Sequence, residues 1–223
     1  MKIRPSNTMK PILFNTEMVR AILDDRKTVT RRVLKPHNTR KAKRCEYLQG
    51  EGLWFDDEIN EFDKDTHIKD YSISSCWIGT EIYIQKYASY RPGDILYVRE
   101  TWCQPATHTF WYKADSSIQN VLWRPSVSMP REAARIFLRV TDVRVERLQD
   151  ISDKDLLREG EVPYICADGT FDRKNTKTSF LGMWDATLKP KDRALYGWEA
   201  NPWVWVIEFE RCEKPEDAQN EID

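Results

Sequence analysis

Near its C-terminal end the chain reads Trp203-Val204-Trp205-Val206-Ile207-Glu208-Phe209. An unbroken run of β-branched and aromatic residues favours extended backbone. Trp203, Trp205, Ile207 and Phe209 fall on one face and Val204 and Val206 on the other, so this strand must be buried on both sides. It needs partner strands, and the sequence offers several. Ile136 to Leu148 alternates in two runs, with Ile136, Leu138 and Val140 on one side and Val143 and Val145 further on. Ile95 to Trp102 follows the turn Arg91-Pro92-Gly93-Asp94, in which Pro presets φ and Gly accepts positive φ. Thr109 to Lys113 and Arg26 to Leu34 also read as strands.

The helical signals are fewer and shorter. Thr16 is placed to cap a helix through Asp24. Pro130 suits the first position of a short helix over Arg131 to Arg135. Ser152 caps a third, with Asp155 at its third position, Leu156 and Leu157 facing inward and Gly160 ending it. Phe180 to Leu188 forms a fourth. Many strands with few short helices predict an α+β chain built as a barrel or strongly curled sheet.

The length of 223 residues fits one domain. We read it over residues 1–212, with an insertion at about 37–90 and an acidic, disordered tail over 213–223. The insertion holds a basic loop, an acidic stretch and a strand-like segment from Glu81 to Tyr87. Charge is segregated: Met1 to Arg44 carries 13 Lys/Arg against 3 Asp/Glu, and Glu51 to Asp70 carries 8 acidic against 2 basic residues. Such segregation sets a positive face against phosphates and points to RNA or single-stranded nucleic acid as partner. The competing reading is that these charges intermix on an ordinary solvated surface.

No stretch approaches the roughly 18 to 20 apolar residues that a membrane span requires, so the expectation is a cytoplasmic protein with no membrane partner. Five cysteines without paired spacing suit thiols in a reducing compartment. His37, His67 and His108 are isolated and no Cys-x-x-Cys occurs, which leaves a metal without support. Glycine-rich phosphate cradles are absent too, and no cofactor is expected.

The stretch richest in chemistry is Leu23-Asp24-Asp25-Arg26-Lys27-Thr28-Val29-Thr30-Arg31-Arg32. A lysine and a threonine three positions apart, where a helix hands over to a strand, can converge on one cavity. Arg26, Arg31 and Arg32 beside them can hold an anion or depress the lysine pKa, and a lysine so depressed can act as base on a hydroxyl. A surface helix end whose cations complement the dipole is the alternative.

Several features together resemble an ASCH domain, a PUA-like β-barrel. They are the helix followed by Arg26-Lys27-Thr28-x-Thr30-x-Arg32, the Arg91-Pro92-Gly93-Asp94 turn, the capped helix between Leu148 and Gly160, and the closing Val204 to Phe209 strand. The stretches Val98-Arg99-Glu100-Thr101-Trp102, Met129 to Arg135 and Tyr196-Gly197-Trp198 resemble the longer ASCH proteins encoded in bacteriophages and prophages. The glycine that commonly precedes Arg-Lys-Thr in the family is Asp25 here, and the insertion is placed to roof the pocket.

The resemblance implies RNA binding or, as in one bacterial branch, metal-independent amidohydrolysis of N4-acetylcytidine by a lysine, a threonine and a glutamate. Those residues fall at Lys27 (base), Thr30 (nucleophile) and Glu159 (orienting Lys27 or moving its proton), in an open site whose substitution should change melting little. A binding module for RNA or a modified nucleoside without chemistry, and a ribonuclease using the same basic cleft, are the alternatives. For base or phosphate contacts the candidates are Arg26, Arg31, Arg32, Arg99, Glu100, Trp102 and Trp198, with Trp198 foremost as a stacking ring. Arg99 and Glu100 have a plainer reading, as partners of each other.

Overall fold

The computed structural model describes residues 9–34, 88–115 and 120–215. By its internal contacts the chain divides into two compact units, residues 1–32 with 90–223, and residues 33–89. Nearly all of the second unit lies outside the described residues, as do the inserted basic and acidic stretches, the Glu81 to Tyr87 segment and most of the acidic tail.

The first unit is mixed α+β. In chain order its elements are β1 (Lys10–Leu13), α1 (Thr16–Leu23), β2 (Val29–Val33), β3 (Ile95–Arg99), β4 (Trp102–Ala106), β5 (Thr109–Tyr112), β6 (Phe137–Arg147), α2 (Asp153–Arg158), α3 (Arg173–Thr187), α4 (Arg193–Tyr196) and β7 (Trp203–Cys212). Five strands form one sheet in the order β1-β3-β6-β7-β2, and β4 with β5 makes a separate two-stranded sheet. The sheet is mixed, because β1 runs parallel to β3 while β3 with β6 and β6 with β7 are antiparallel.

Its spine is the long β6–β7 ladder, which runs from Phe137 opposite Cys212 to Arg147 opposite Trp203. Val204 and Val206 are fully buried on one face of β7, and Ile207 and Phe209 are buried on the other. Trp203 and Trp205 are only half-buried. The break in alternation along β6 has a structural cause: Val140 pairs with Phe209 and Asp142 with Glu208, so Thr141 is an extra residue in a β-bulge.

Strands β1 and β2 are the two edges of the described sheet. A side chain joins them where no ladder does, since Arg32 Nη2 donates to the Leu13 carbonyl at 2.9 Å. Phe14, just past β1, packs against Phe209 with ring centroids 6.1 Å apart. The described strands therefore make a five-stranded sheet with a side-chain bridge across its edges, and no ladder among them closes it into a barrel.

Several local expectations are corrected. Asn15 caps α1 in place of Thr16, its Oδ1 accepting from the Met18 amide at 2.8 Å. Pro130 precedes a single 3-10 turn over Arg131–Ala133. Strand β3 stops at Arg99 and Trp102 opens the separate β4. Leu156 is buried but Leu157 turns outward, as adjacent positions on a helix differ by about 100°. Helix α3 begins at Arg173, earlier than its apolar residues suggest, because Asp172 caps it through the Asn175 amide at 3.0 Å.

Two glycines allow a controlled test of packing. Gly160 ends α2 at φ +96, and a Cβ there would lie 2.7 Å from Ala21 Cβ and 3.1 Å from Lys27 Cβ. Gly169 also has positive φ, +83, but a Cβ there meets nothing within 4 Å. We predict that Gly160→Ala lowers stability by more than about 2 kcal/mol, and that Gly169→Ala costs only the backbone penalty of about 1 kcal/mol. Thermal melting of the two variants checks this, and equal losses would show that α1 and α2 do not pack closely at Gly160.

Candidate functional site

Helix α1 hands its chain to β2 through one left-handed residue. Asp25 sits at φ 57, where the short polar side chain of Asp is tolerated better than most. The turn lets the Arg26 and Lys27 amides both donate to the Ala21 carbonyl, at 2.8 and 2.9 Å. Lys27 then meets Glu159 as an isolated antiparallel bridge. Glu159 is the C-cap of α2, a helix fixed at its start by Ser152 Oγ accepting from the Asp155 amide at 3.1 Å. Gly160 at positive φ follows, and its lack of a Cβ is what lets Lys27 approach.

The resulting contact is a buried ion pair. Lys27 is 2 % exposed and Glu159 3 %. Lys27 Nζ donates to Glu159 Oε2 at 2.6 Å, to the Glu159 carbonyl at 2.8 Å and to the Val29 carbonyl at 2.8 Å. Burial pushes the lysine below its usual range, against the opposing pull of the Glu159 carboxylate. Glu159 Oε1 is held by Arg31 Nη1 at 3.2 Å.

Thr30 is fully buried on β2 and accepts from Arg32 Nη1 at 3.0 Å. Lys27 Nζ and Arg32 Cζ lie 5.7 and 5.2 Å from the centroid of the Phe14 ring. Phe14 and Arg32 thus link the lysine to the threonine, and Lys27 Nζ and Thr30 Oγ1 share no hydrogen bond. A cleft of about 330 Å³ borders Glu159 and Gly160, but neither Lys27 nor Thr30 lines it. The structure therefore brings Lys27 directly to Glu159 and Thr30 to Arg32, in a closed arrangement and not in one open pocket.

The remaining candidates are placed differently from expectation. Arg31 is 2 % exposed and pairs with three carboxylates, those of Glu159, Asp155 and Glu146, while its Nε is buried without a partner among the described residues; burial keeps it from a phosphate in solvent. Arg26 donates to the Gly160 carbonyl at 2.6 Å and pairs with Asp24. Glu100 is buried and pairs with Arg135 at 2.9 Å, so of the two readings of Arg99 and Glu100 the mutual pair does not form. Arg99 Nη2 donates to the Val127 carbonyl, and its Nε is buried without a partner.

Trp102 is core, packed with Met129 and Ala133. Trp198 is also buried, edge-on to Phe180 with centroids 6.3 Å apart and with Lys177 over its ring at 4.9 Å. Neither indole is an open stacking platform. Among the described residues no three His, Cys, Asp or Glu side chains converge so as to hold a metal ion, and no helix is long and apolar enough to cross a membrane.

Sequence reasoning missed two groups. Arg135 forks between Glu100 and Asp115 while its guanidinium lies 4.0 Å from the centroid of the Tyr112 ring. Around α2, Arg144 and Arg158 tie Asp155 and Glu208 together, with Arg144 also reaching Glu146. Only the Arg158–Asp155 pair, three apart on α2, and the Arg144–Glu146 pair, two apart on β6, have a local spacing; the other partners meet only through the fold.

A buried pair of this kind binds its own members to the fold. The expectation that substitution leaves melting unchanged is therefore replaced: Lys27→Met should lower stability by about 3 to 5 kcal/mol, by stranding the Glu159 carboxylate. Lys27→Met/Glu159→Gln should recover a measurable part of that loss. Denaturant unfolding of both variants checks this; additive losses would show that the two side chains are not coupled.

Comparison of the chain with protein-family models, with curated proteins and with solved structures gives no match.

Proposed function

We propose that this protein is an ASCH-type cytoplasmic protein with a PUA-like fold that handles RNA or modified pyrimidine nucleosides, and that it hydrolyses the acyl amide of N4-acylated cytosine nucleosides without a metal. One observation carries the reading: a lysine sealed from water, with a carboxylate 2.6 Å from its nitrogen, beside a threonine held by an arginine. Burial lowers the cost of neutral Lys27, and Glu159 is at hand to take its proton.

Each step follows from those groups. The reaction requires the closed packing over Thr30 to open to substrate; neutral Lys27, through one water, then takes the proton of the Thr30 hydroxyl as Thr30 Oγ1 attacks the acyl carbon. Arg32, which donates to Thr30 Oγ1 at 3.0 Å, is the cation that would stabilise the tetrahedral oxyanion. Lys27 returns the proton to the departing amino nitrogen of cytosine. Water then hydrolyses the acyl-threonine, releasing the carboxylic acid and regenerating the hydroxyl.

A second reading has its own observation. All three protons of the Lys27 ammonium are taken, by Val29, by the Glu159 carbonyl and by the Glu159 carboxylate, which is how a lysine locks a fold. In that case the same face recognises RNA or a modified base without chemistry.

Mass spectrometry after incubation with a panel of N4-acylcytidines separates the two. The enzyme reading predicts hydrolysis that Lys27→Ala, Thr30→Ala and Glu159→Gln each reduce by at least about a hundredfold. Since the base must be neutral and burial lowers its pKa, kcat/KM should rise with pH and level off below the usual lysine range. Full hydrolysis by Lys27→Ala removes the amidohydrolase. Absence of hydrolysis, with RNA affinity falling by a log–log salt slope of about −0.7 per neutralised phosphate, would establish the binding module instead.

A further inference from the structure

The cleft beside Gly160 shares Glu159 with the proposed reaction but is lined by neither Lys27 nor Thr30, and it is built as a binding site of its own. It opens between α1 and α3, with the segment that follows Glu159 as its third wall, and holds about 330 Å³, within the size range of small-molecule pockets. Met18 and Ala21 from α1, Pro163, and Met183 from α3 make its surface largely apolar. The third wall is anchored, because the Tyr164 amide donates to Thr176 Oγ1 at 3.0 Å and the Asp172 amide to the Tyr164 carbonyl at 2.8 Å. Tyr164 stays half exposed at the mouth.

A tally of charge then fixes the kind of ligand. Of the ionic residues lining the cleft, Glu159 is neutralised by Lys27 and Arg31, Glu17 is paired with Arg20, and Arg26 is paired with Asp24. Glu161 is left over. It is half-buried, its Oε2 accepts from the Ser179 hydroxyl at 2.7 Å, and among the described residues Oε1 has no hydrogen-bond or ion-pair partner. Burial pushes this carboxyl above its usual range, against the Ser179 hydrogen bond and the more distant charges of Lys27 and Arg26. Apolar walls with two methionines and a tyrosine around one carboxylate that makes no direct ion pair among the described residues match an apolar body carrying a cationic head.

We infer that the cleft between α1 and α3 binds a small organic cation, an amine or guanidine on an aromatic or aliphatic body, with Glu161 and Ser179 receiving the head and Met18, Met183 and Tyr164 the body. The site adjoins the Lys27–Thr30 chemistry through Glu159 and stands whether or not that chemistry occurs.

Calorimetric titration of the full chain tests it, with phenethylammonium and benzylguanidinium as probes and neutral 2-phenylethanol and cytidine as comparisons. Saturable binding of both cations is expected, with at least about tenfold weaker affinity in Glu161→Gln and loss of binding in Met183→Trp, which fills the cleft. Both variants should keep the parent melting temperature, since Glu161 and Met183 are only partly buried. Any one of four results overturns the proposal: no saturable binding of either cation at millimolar concentration, undiminished binding by Glu161→Gln, equal binding of 2-phenylethanol, or tighter binding of cytidine than of the cations.

Discussion

The first unit depends on one desolvated ammonium group. Taking a lysine out of water costs several kcal/mol, and only good geometry offsets it. Lys27 meets that condition with three acceptors, all supplied by the chain within its own turn and by Glu159. The arrangement forces the end of α1, the start of β2 and the end of α2 to a single point. It also demands a residue without a side chain at position 160 and a left-handed residue at position 25, so the local backbone and the ion pair specify each other.

Around that point the charges are layered. Arg31 carries the negative charge of Glu159 on to Asp155 and Glu146, and Arg144 and Arg158 connect those to Glu208 on β7. Glu159, Asp155, Glu146 and Glu208 each have more than one cationic neighbour. A six-residue helix has little stability of its own, and it is this lattice of side chains, with Leu156 buried beneath it, that holds α2 on the sheet. The position of Glu159 is consequently set from two directions, by the helix it caps and by the cations it binds.

The parts of this arrangement legible in the sequence were those with local signals. The β7 strand, the Ser152 cap and the stop at Gly160 are written in adjacent residues, and the left-handed turn at Asp25 is signalled by an Asp where the helix breaks. Lys27 and Glu159 could be set together only through a resemblance, as 132 positions separate them. The Arg135 fork, the triple pairing of Arg31 and the burial of Trp198 carried no local mark. A basic or aromatic residue reads the same in sequence whether it faces solvent or a partner folded against it, and the sheet order β1-β3-β6-β7-β2 decides which occurs.

The extra residue at Thr141 sets the phase of β6. In strict alternation Val140, Asp142, Arg144 and Glu146 would share a face, and three charged side chains would join the apolar layer formed by Val140 and Phe209. The bulge shifts the frame by one, so that Val140 and Val143 stay on the Phe209 and Ile207 side while Arg144 and Glu146 lie beside Val206 and Val204, toward α2. One inserted residue thus gives a single strand an oily side and an ionic side. The sheet can serve as a hydrophobic wall on one face and as the mount for a charged helix on the other.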